Sequence, residues 1–256
     1  MHVAERISRL GTETAFEVLV KARALEAQGR NIVHLEIGEP DFDTPANIIQ
    51  AAKDALDRGF THYGPAAGLP EARQAVADYV NKTRGYSMWD ADNVVITPGA
   101  KPIMFFGMMA CIDEGDEVIY PNPGFPIYES VINFLKAKPV PLPLREEKEF
   151  RFDVADLEAR ITSKTRMVIL NTPQNPTGGI LTEDDLRQIA ELAVKHNLIV
   201  LSDEIYSQVT YGDFKHTSIS KFDGMQERTI ILDGFSKTFA MTGWRLGYGM
   251  FPKEMA

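Results

Sequence analysis

Apolar and polar residues follow two rhythms along this chain. Between Ala46 and Asp57, and again between Pro70 and Lys82, apolar residues recur at helical spacing after a helix-starting Pro or Gly, predicting two amphipathic helices joined by a loop. Beyond them, short β-rich runs take turns with helical stretches. Val94–Thr97 leads into an apolar helix, Glu117–Tyr120 into a helix near Ile127–Phe134, and Lys138–Leu142 and Thr165–Leu170 precede a helix over Glu183–His196. Three further runs follow: Ile199–Asp203, Thr229–Asp233 and Leu246–Met250. This cadence predicts an α/β fold with a mixed, mostly parallel sheet covered by helices on both faces. Ligands of such sheets bind beyond the carboxyl ends of the strands.

Several segments have readings that are purely structural. Thr182-Glu-Asp-Asp opens its helix with a hydroxyl cap and acids that favour the helix dipole. Pro139 to Glu149, with its prolines and the charges Arg145 to Glu149, reads as a solvated connection. Ile103 to Ile112 is the longest apolar run, far short of the roughly 20 residues a spanning helix needs; it is a core helix, with Cys111 as packing. A single cysteine makes no internal disulfide and no zinc cluster, which fits a reducing compartment. The beginning of the chain, Met1 to Gly11, lacks the apolar centre of a secretory signal, so the cytoplasm is the expected location.

Composition narrows the partners. With 44% hydrophobic and 25% charged residues the chain can bury a sizeable core as an ordinary globular protein. A formal charge of −9 disfavours nucleic acid and anionic membrane surfaces as partners. The five histidines show no metal spacing.

The chemistry concentrates after the predicted strands. Gly234-Phe-Ser-Lys-Thr-Phe-Ala-Met-Thr-Gly-Trp-Arg245 sets Lys237 among apolar residues, which lower an amine's pKa and favour the neutral form that attacks an aldehyde. Ser236 and Arg245 are suited to phosphate, the guanidinium through two parallel hydrogen bonds. Asp203 closes an apolar strand, a costly place for a carboxylate without a cationic partner. Pro98-Gly99-Ala100-Lys101 opens the apolar helix, so the N–H groups of Ala100 and Lys101 face an incoming anion at the positive helix end. Asn171-Thr-Pro-Gln-Asn-Pro-Thr-Gly-Gly179 is a turn-rich loop directly after a strand.

Ser236-Lys-Thr-Phe-Ala-Met-Thr-Gly-Trp-Arg-Leu-Gly-Tyr248 resembles the cofactor-attachment signature of the class I/II pyridoxal-phosphate aminotransferases, aspartate aminotransferase-like and of fold type I. The resemblance covers essentially the whole chain. It implies that Lys237 holds pyridoxal phosphate as a Schiff base and shuttles the proton between Cα and C4′, with Ser236, Arg245 and the Ala100–Lys101 turn on the phosphate. It implies Asp203 opposite the pyridinium nitrogen, with Tyr206 and Asn175 on the phenolate oxygen. Phe125 matches the aromatic stacked on the ring, with core packing as its alternative. Gly38 and Asn175 are expected at the substrate carboxylate, Phe125 also against the substrate, Lys101 at the distal carboxylate of an acidic substrate, and Tyr63 at the cofactor phosphate of a second subunit in a homodimer. A cis Asn175–Pro176 bond is also expected.

The reaction so implied moves an amino group between an L-amino acid and a 2-oxo acid, the donor acidic, with aromatic or broad as runner-up. A pyridoxal-phosphate lyase on the same scaffold and a non-catalytic aminotransferase-like module are the rival readings. Residues 1–44 are expected to form an N-terminal arm that packs with a small domain, and 45–256 the large cofactor domain. The chain ends shortly after Lys237, so the family's C-terminal small domain, with its arginine for the substrate α-carboxylate, is expected to lie outside these 256 residues.

Overall fold

The apolar runs assemble into one sheet because its inner strands are too hydrophobic to leave either face in water. In the computed structural model, which describes residues 2–11 and 14–256, these runs are β1 (Val94–Thr97), β2 (Glu117–Asn122), β3 (Lys138–Pro143), β4 (Thr165–Asn171), β5 (Ile199–Asp203), β6 (Thr229–Gly234) and β7 (Gly247–Met250). Their order across the sheet is β1-β7-β6-β5-β4-β2-β3. Every residue of β5, β6 and β7 is buried, as befits strands covered on both sides. The pairs β2–β3, β2–β4, β4–β5 and β5–β6 are parallel, and β7 runs antiparallel to both β6 and β1. The carboxyl ends of β1, β2, β4, β5 and β6 therefore open on the same edge, where antiparallel β7 begins.

Helices cover both faces. On one, α4 (Lys101–Cys111) and α5 (Ile127–Phe134) pack Met104, Met108, Tyr128 and Ile132 against Met167, Leu201 and Leu232. On the other, α7 (Glu183–Lys195) covers Val168, Leu170 and Val200, while α3 (Pro70–Arg84) covers Ile231, Tyr248 and Met250. Each such aliphatic side chain taken out of water contributes roughly 1.5–3 kcal/mol before entropy is counted. The remaining helices are α1 (Thr14–Glu26), α2 (Ala46–Asp57) and the short α6 (Val154–Glu158). Among the described residues, no helix is long and apolar enough to cross a membrane.

The predicted strands and helices match these elements to within a few residues, and Thr182 caps α7 through a reciprocal pair with Asp185. Two readings need correction. Residues 139–143 are not a solvated connection but most of edge strand β3, where prolines, having no N–H to give, are tolerated. The charge run after them is tied down by ion pairs of Arg145 with Asp156 and of Lys148 with Asp153. Cys111 is only half-buried, at the rim of the core, with its Sγ 3.8 Å from Met255 Sδ.

Candidate active site

Five strand ends and the start of β7 converge on one edge of the sheet, and each delivers a candidate residue. Beyond β1, Gly99 takes φ +90° and Ala100 caps α4. A Cβ on Gly99 would lie 2.3 Å from an Arg245 guanidinium nitrogen, so only the bare glycine lets that cation rest on the turn. From the sheet side, a Cβ on Gly247 would lie 2.4 Å from the Ala100 nitrogen. Two absent methyls thus shape a close cradle of backbone N–H, helix terminus and guanidinium. Arg245 itself adopts φ +55°, and its Nη1 donates to the Thr242 carbonyl at 2.9 Å.

At the end of central β5, Asp203 is buried. Burial pushes its carboxyl up to about 6, against the Tyr128 hydroxyl and the Ile205 N–H, which favour the anion. Tyr128, fully buried, donates to Asp203 Oδ2 at 2.6 Å, and Ile205 N–H donates to Oδ1 at 3.2 Å. No cationic side chain pairs with this carboxylate among the described residues.

Asn171, at the end of β4, organises the loop beside it. Its amide donates to the Asp203 carbonyl at 3.1 Å, and its Oδ1 accepts the Asn175 N–H at 2.8 Å. Asn175–Pro176 is cis, as expected, and Asn122–Pro123 and Thr172–Pro173 are cis as well. Phe125 follows β2, packs edge-on against Tyr128 at 5.7 Å, and has the Lys101 ammonium 5.7 Å from its ring centre. Lys101 lies equally close to the ring of Phe16, so its charge is held between two aromatic faces.

Beyond β6 comes Lys237. Burial lowers its amine below the ordinary lysine value, with Glu39 acting in the opposite direction. Its Nζ donates to the Gly38 carbonyl at 2.5 Å and lies 5.8 Å from the ring centre of Tyr206. Ser236 precedes it, its carbonyl accepting Met241 N–H. The fold thus brings together Gly38, Lys237 and Tyr206; Asp203 and Asn175; Phe125 and Lys101; and Arg245 with Gly99–Ala100. Tyr63 is apart from them, its side chain fully exposed.

Sequence reasoning passed over Tyr128, whose one available signal was its place three residues after Phe125 at the start of α5. It also passed over a buried ionic group on the opposite face, centred on Glu204. Glu204 accepts from Arg84 at 3.0 Å, His216 at 2.9 Å and Ser218 at 2.5 Å, and Arg84 also reaches Asp233 at 2.7 Å. Among the described residues no cluster of His, Cys, Asp or Glu is arranged to hold a metal.

Residues 30–256 match the family model for aminotransferase class I and II. An aspartate aminotransferase of Pyrococcus abyssi is 47% identical over 87% of this chain and 57% of its own length. An aromatic-amino-acid aminotransferase of Thermococcus litoralis is also 47% identical, over 89% of this chain and 59% of its own. The aspartate aminotransferase of Thermus thermophilus solved with maleate superposes with a TM-score of 0.95 at 36% identity, over 100% of this chain and 66% of that one. The chain thus spans less than two-thirds of the length of the curated relatives it matches.

Proposed function

The chain belongs to the class I and II aminotransferases, and from that premise we propose that it holds pyridoxal phosphate at the open sheet edge and moves an amino group between an L-amino acid and a 2-oxo acid. The carrying observation is that three charges come from the loops and strand ends at that edge: the Lys237 amine, the Asp203 carboxylate and the Arg245 guanidinium on the Gly99 turn. That donor set fits the cofactor group by group. The cradle of Ser236, Ala100, Lys101 and Arg245 suits a phosphate; Asp203, an isolated buried anion, suits a protonated ring nitrogen. Bound there, pyridoxal phosphate supplies an aldehyde for amines and a ring that draws electrons from the substrate Cα.

The chain's own residues do the rest. Lys237, its pKa lowered by burial, would be the amine for the cofactor's aldehyde and the base that takes a proton from the substrate Cα. Asp203 would keep a proton on the cofactor's ring nitrogen, because releasing it would leave the buried carboxylate uncompensated. Tyr206 and Asn175 would hold the cofactor's phenolate oxygen, and Phe125 would supply an apolar surface for its ring. Gly38 and Asn175 receive the substrate carboxylate.

An acidic donor is the favoured substrate, with Lys101 the cation for its distal carboxylate; the Thermus relative solved with maleate, a dicarboxylate, supports this. The Thermococcus relative, named for aromatic amino acids, keeps an aromatic donor as the second choice. We further infer a cytoplasmic homodimer in which Tyr63 reaches the partner's cofactor phosphate, with 1–44 as an arm against a small domain and 45–256 as the cofactor domain. The exposed Tyr63 side chain supports that arrangement.

The test is an absorption spectrum with added pyridoxal phosphate before and after borohydride, followed by peptide mapping. A visible band and a reduced adduct on Lys237 are expected; a folded protein with no band, or an adduct on another lysine, overturns the assignment. Incubation with aspartate and 2-oxoglutarate is then expected to yield glutamate, whereas ammonia release from the amino acid would indicate a lyase.

A further inference from the structure

Residues 38–44 make contacts to the 237–245 loop that the site described above does not use. Glu39 Oε2 accepts from the Thr242 hydroxyl at 2.9 Å. Thr44 engages the loop at two points: its Oγ1 donates to the Ala240 carbonyl at 2.5 Å and accepts from Trp244 Nε1 at 3.0 Å. Between and beyond these points the loop is conformationally demanding, with Ala240 at φ +51° and Arg245 at φ +55°. Residues with a Cβ hold such angles only where their surroundings over-determine them. The Thr44 hydroxyl, used as donor and acceptor together, is a restraint of that kind. It grips the residue with the first unusual angle and the residue just before the second.

We propose that Thr44 is a positioning residue for the anion cradle. Through Ala240 and Trp244 it fixes the backbone at Arg245, and the guanidinium thereby stays on the Gly99–Ala100 turn. The role belongs to the hydroxyl alone: serine preserves it, whereas valine, of the same shape, removes both hydrogen bonds. This inference rests on the cofactor site proposed above, and its test separates the two.

The experiment titrates the purified protein with pyridoxal phosphate and, separately, with pyridoxal, which has the ring and aldehyde without the phosphate. Binding is followed by the visible band and by tryptophan fluorescence, Trp244 being in the loop and Trp89 buried elsewhere. Thr44→Val is expected to weaken pyridoxal phosphate binding about tenfold and pyridoxal binding by less than about twofold, as the loss of one or two hydrogen bonds to a phosphate-holding loop predicts. Thr44→Ser is expected to stay within about twofold of the unaltered protein for both ligands. Trp244→Phe, which removes one of the two bonds, should show a smaller loss of the same phosphate-selective kind and decides the matter if the valine variant does not fold. Unchanged affinity for pyridoxal phosphate in the variants, or equal losses for both ligands, would overturn the inference. No band with the unaltered protein would instead overturn the cofactor reading, and this inference with it.

Discussion

Asp203 ends the central strand and Glu204 follows it directly; both are buried, yet their charges are handled in opposite ways. Successive strand residues face opposite sides. Asp203 accordingly points toward α5, where one hydroxyl and one N–H are its hydrogen-bond donors, and its carboxyl rises to about 6 under the cost of burial. Glu204 points toward α3, where burial also opposes its charge, but His216, Arg84 and Ser218 together hold it down to about 2. One carboxylate is saturated and therefore structural. The other is left wanting a cation, which is the condition of a group reserved for a ligand.

The contrast can be broken from the saturated side first. Glu204→Gln leaves Arg84 buried with half its partners, and losing one member of a buried pair costs about 3–5 kcal/mol. Urea unfolding at pH 7 should show this loss. Because the folded pKa of Glu204 is depressed, its contribution is present above the ordinary 4.5 and disappears as pH falls through about 2, so variant and parent should converge in acid. A loss below about 1 kcal/mol at pH 7 would show that the group is not a unit.

The reserved side should respond with the opposite sign. The folded pKa of Asp203 is raised from 3.8 to about 6, so its contribution to stability is present below pH 3.8 and is lost as pH rises through about 6. Asp203→Asn should therefore make the cofactor-free protein more stable at pH 8, by up to about 3 kcal/mol, with no difference near pH 4. The transamination proposed for the cofactor-loaded protein should fall steeply in the same variant. A cofactor-free variant that melts lower than the parent at pH 8 would mean that Asp203 has a cationic partner after all.

The two sides were unequally legible in the sequence. Asp203 could be read because a carboxylate ending an apolar strand is conspicuous, and Lys237, Arg245 and Asn175 because they lie in contiguous motifs after strands. The ion group around Glu204 could not, since Arg84 lies 120 residues away and meets it only once α3 packs on the sheet. Helix α1 escaped notice for a different reason. Its apolar residues Phe16, Val18 and Val20 are spread around the helix and remain exposed, leaving no single stripe for periodicity to report. Proline-rich β3 was half-hidden because an edge strand needs fewer N–H donors than the sequence rules for strands assume.

The finest test concerns Tyr128, whose side chain is the one among the described residues that hydrogen-bonds the Asp203 carboxylate. Its hydroxyl donates to the ionised form and so works against burial; removing it as Tyr128→Phe keeps the ring packed on Phe125 while deleting the donor. A net hydrogen bond of about 1–1.5 kcal/mol corresponds to roughly one pH unit, so Asp203 should titrate about one unit higher in the variant. Carboxyl-carbon NMR of the cofactor-free protein measures this directly, and the pH range over which stability declines should move upward with it. With the cofactor bound as proposed, a ring cation opposite Asp203 would take over the task of keeping the carboxylate charged, and the effect of the substitution should shrink. An Asp203 titration that does not move would mean that its charge is set by burial and the Ile205 N–H alone, and Tyr128 would then be core packing that happens to touch the site.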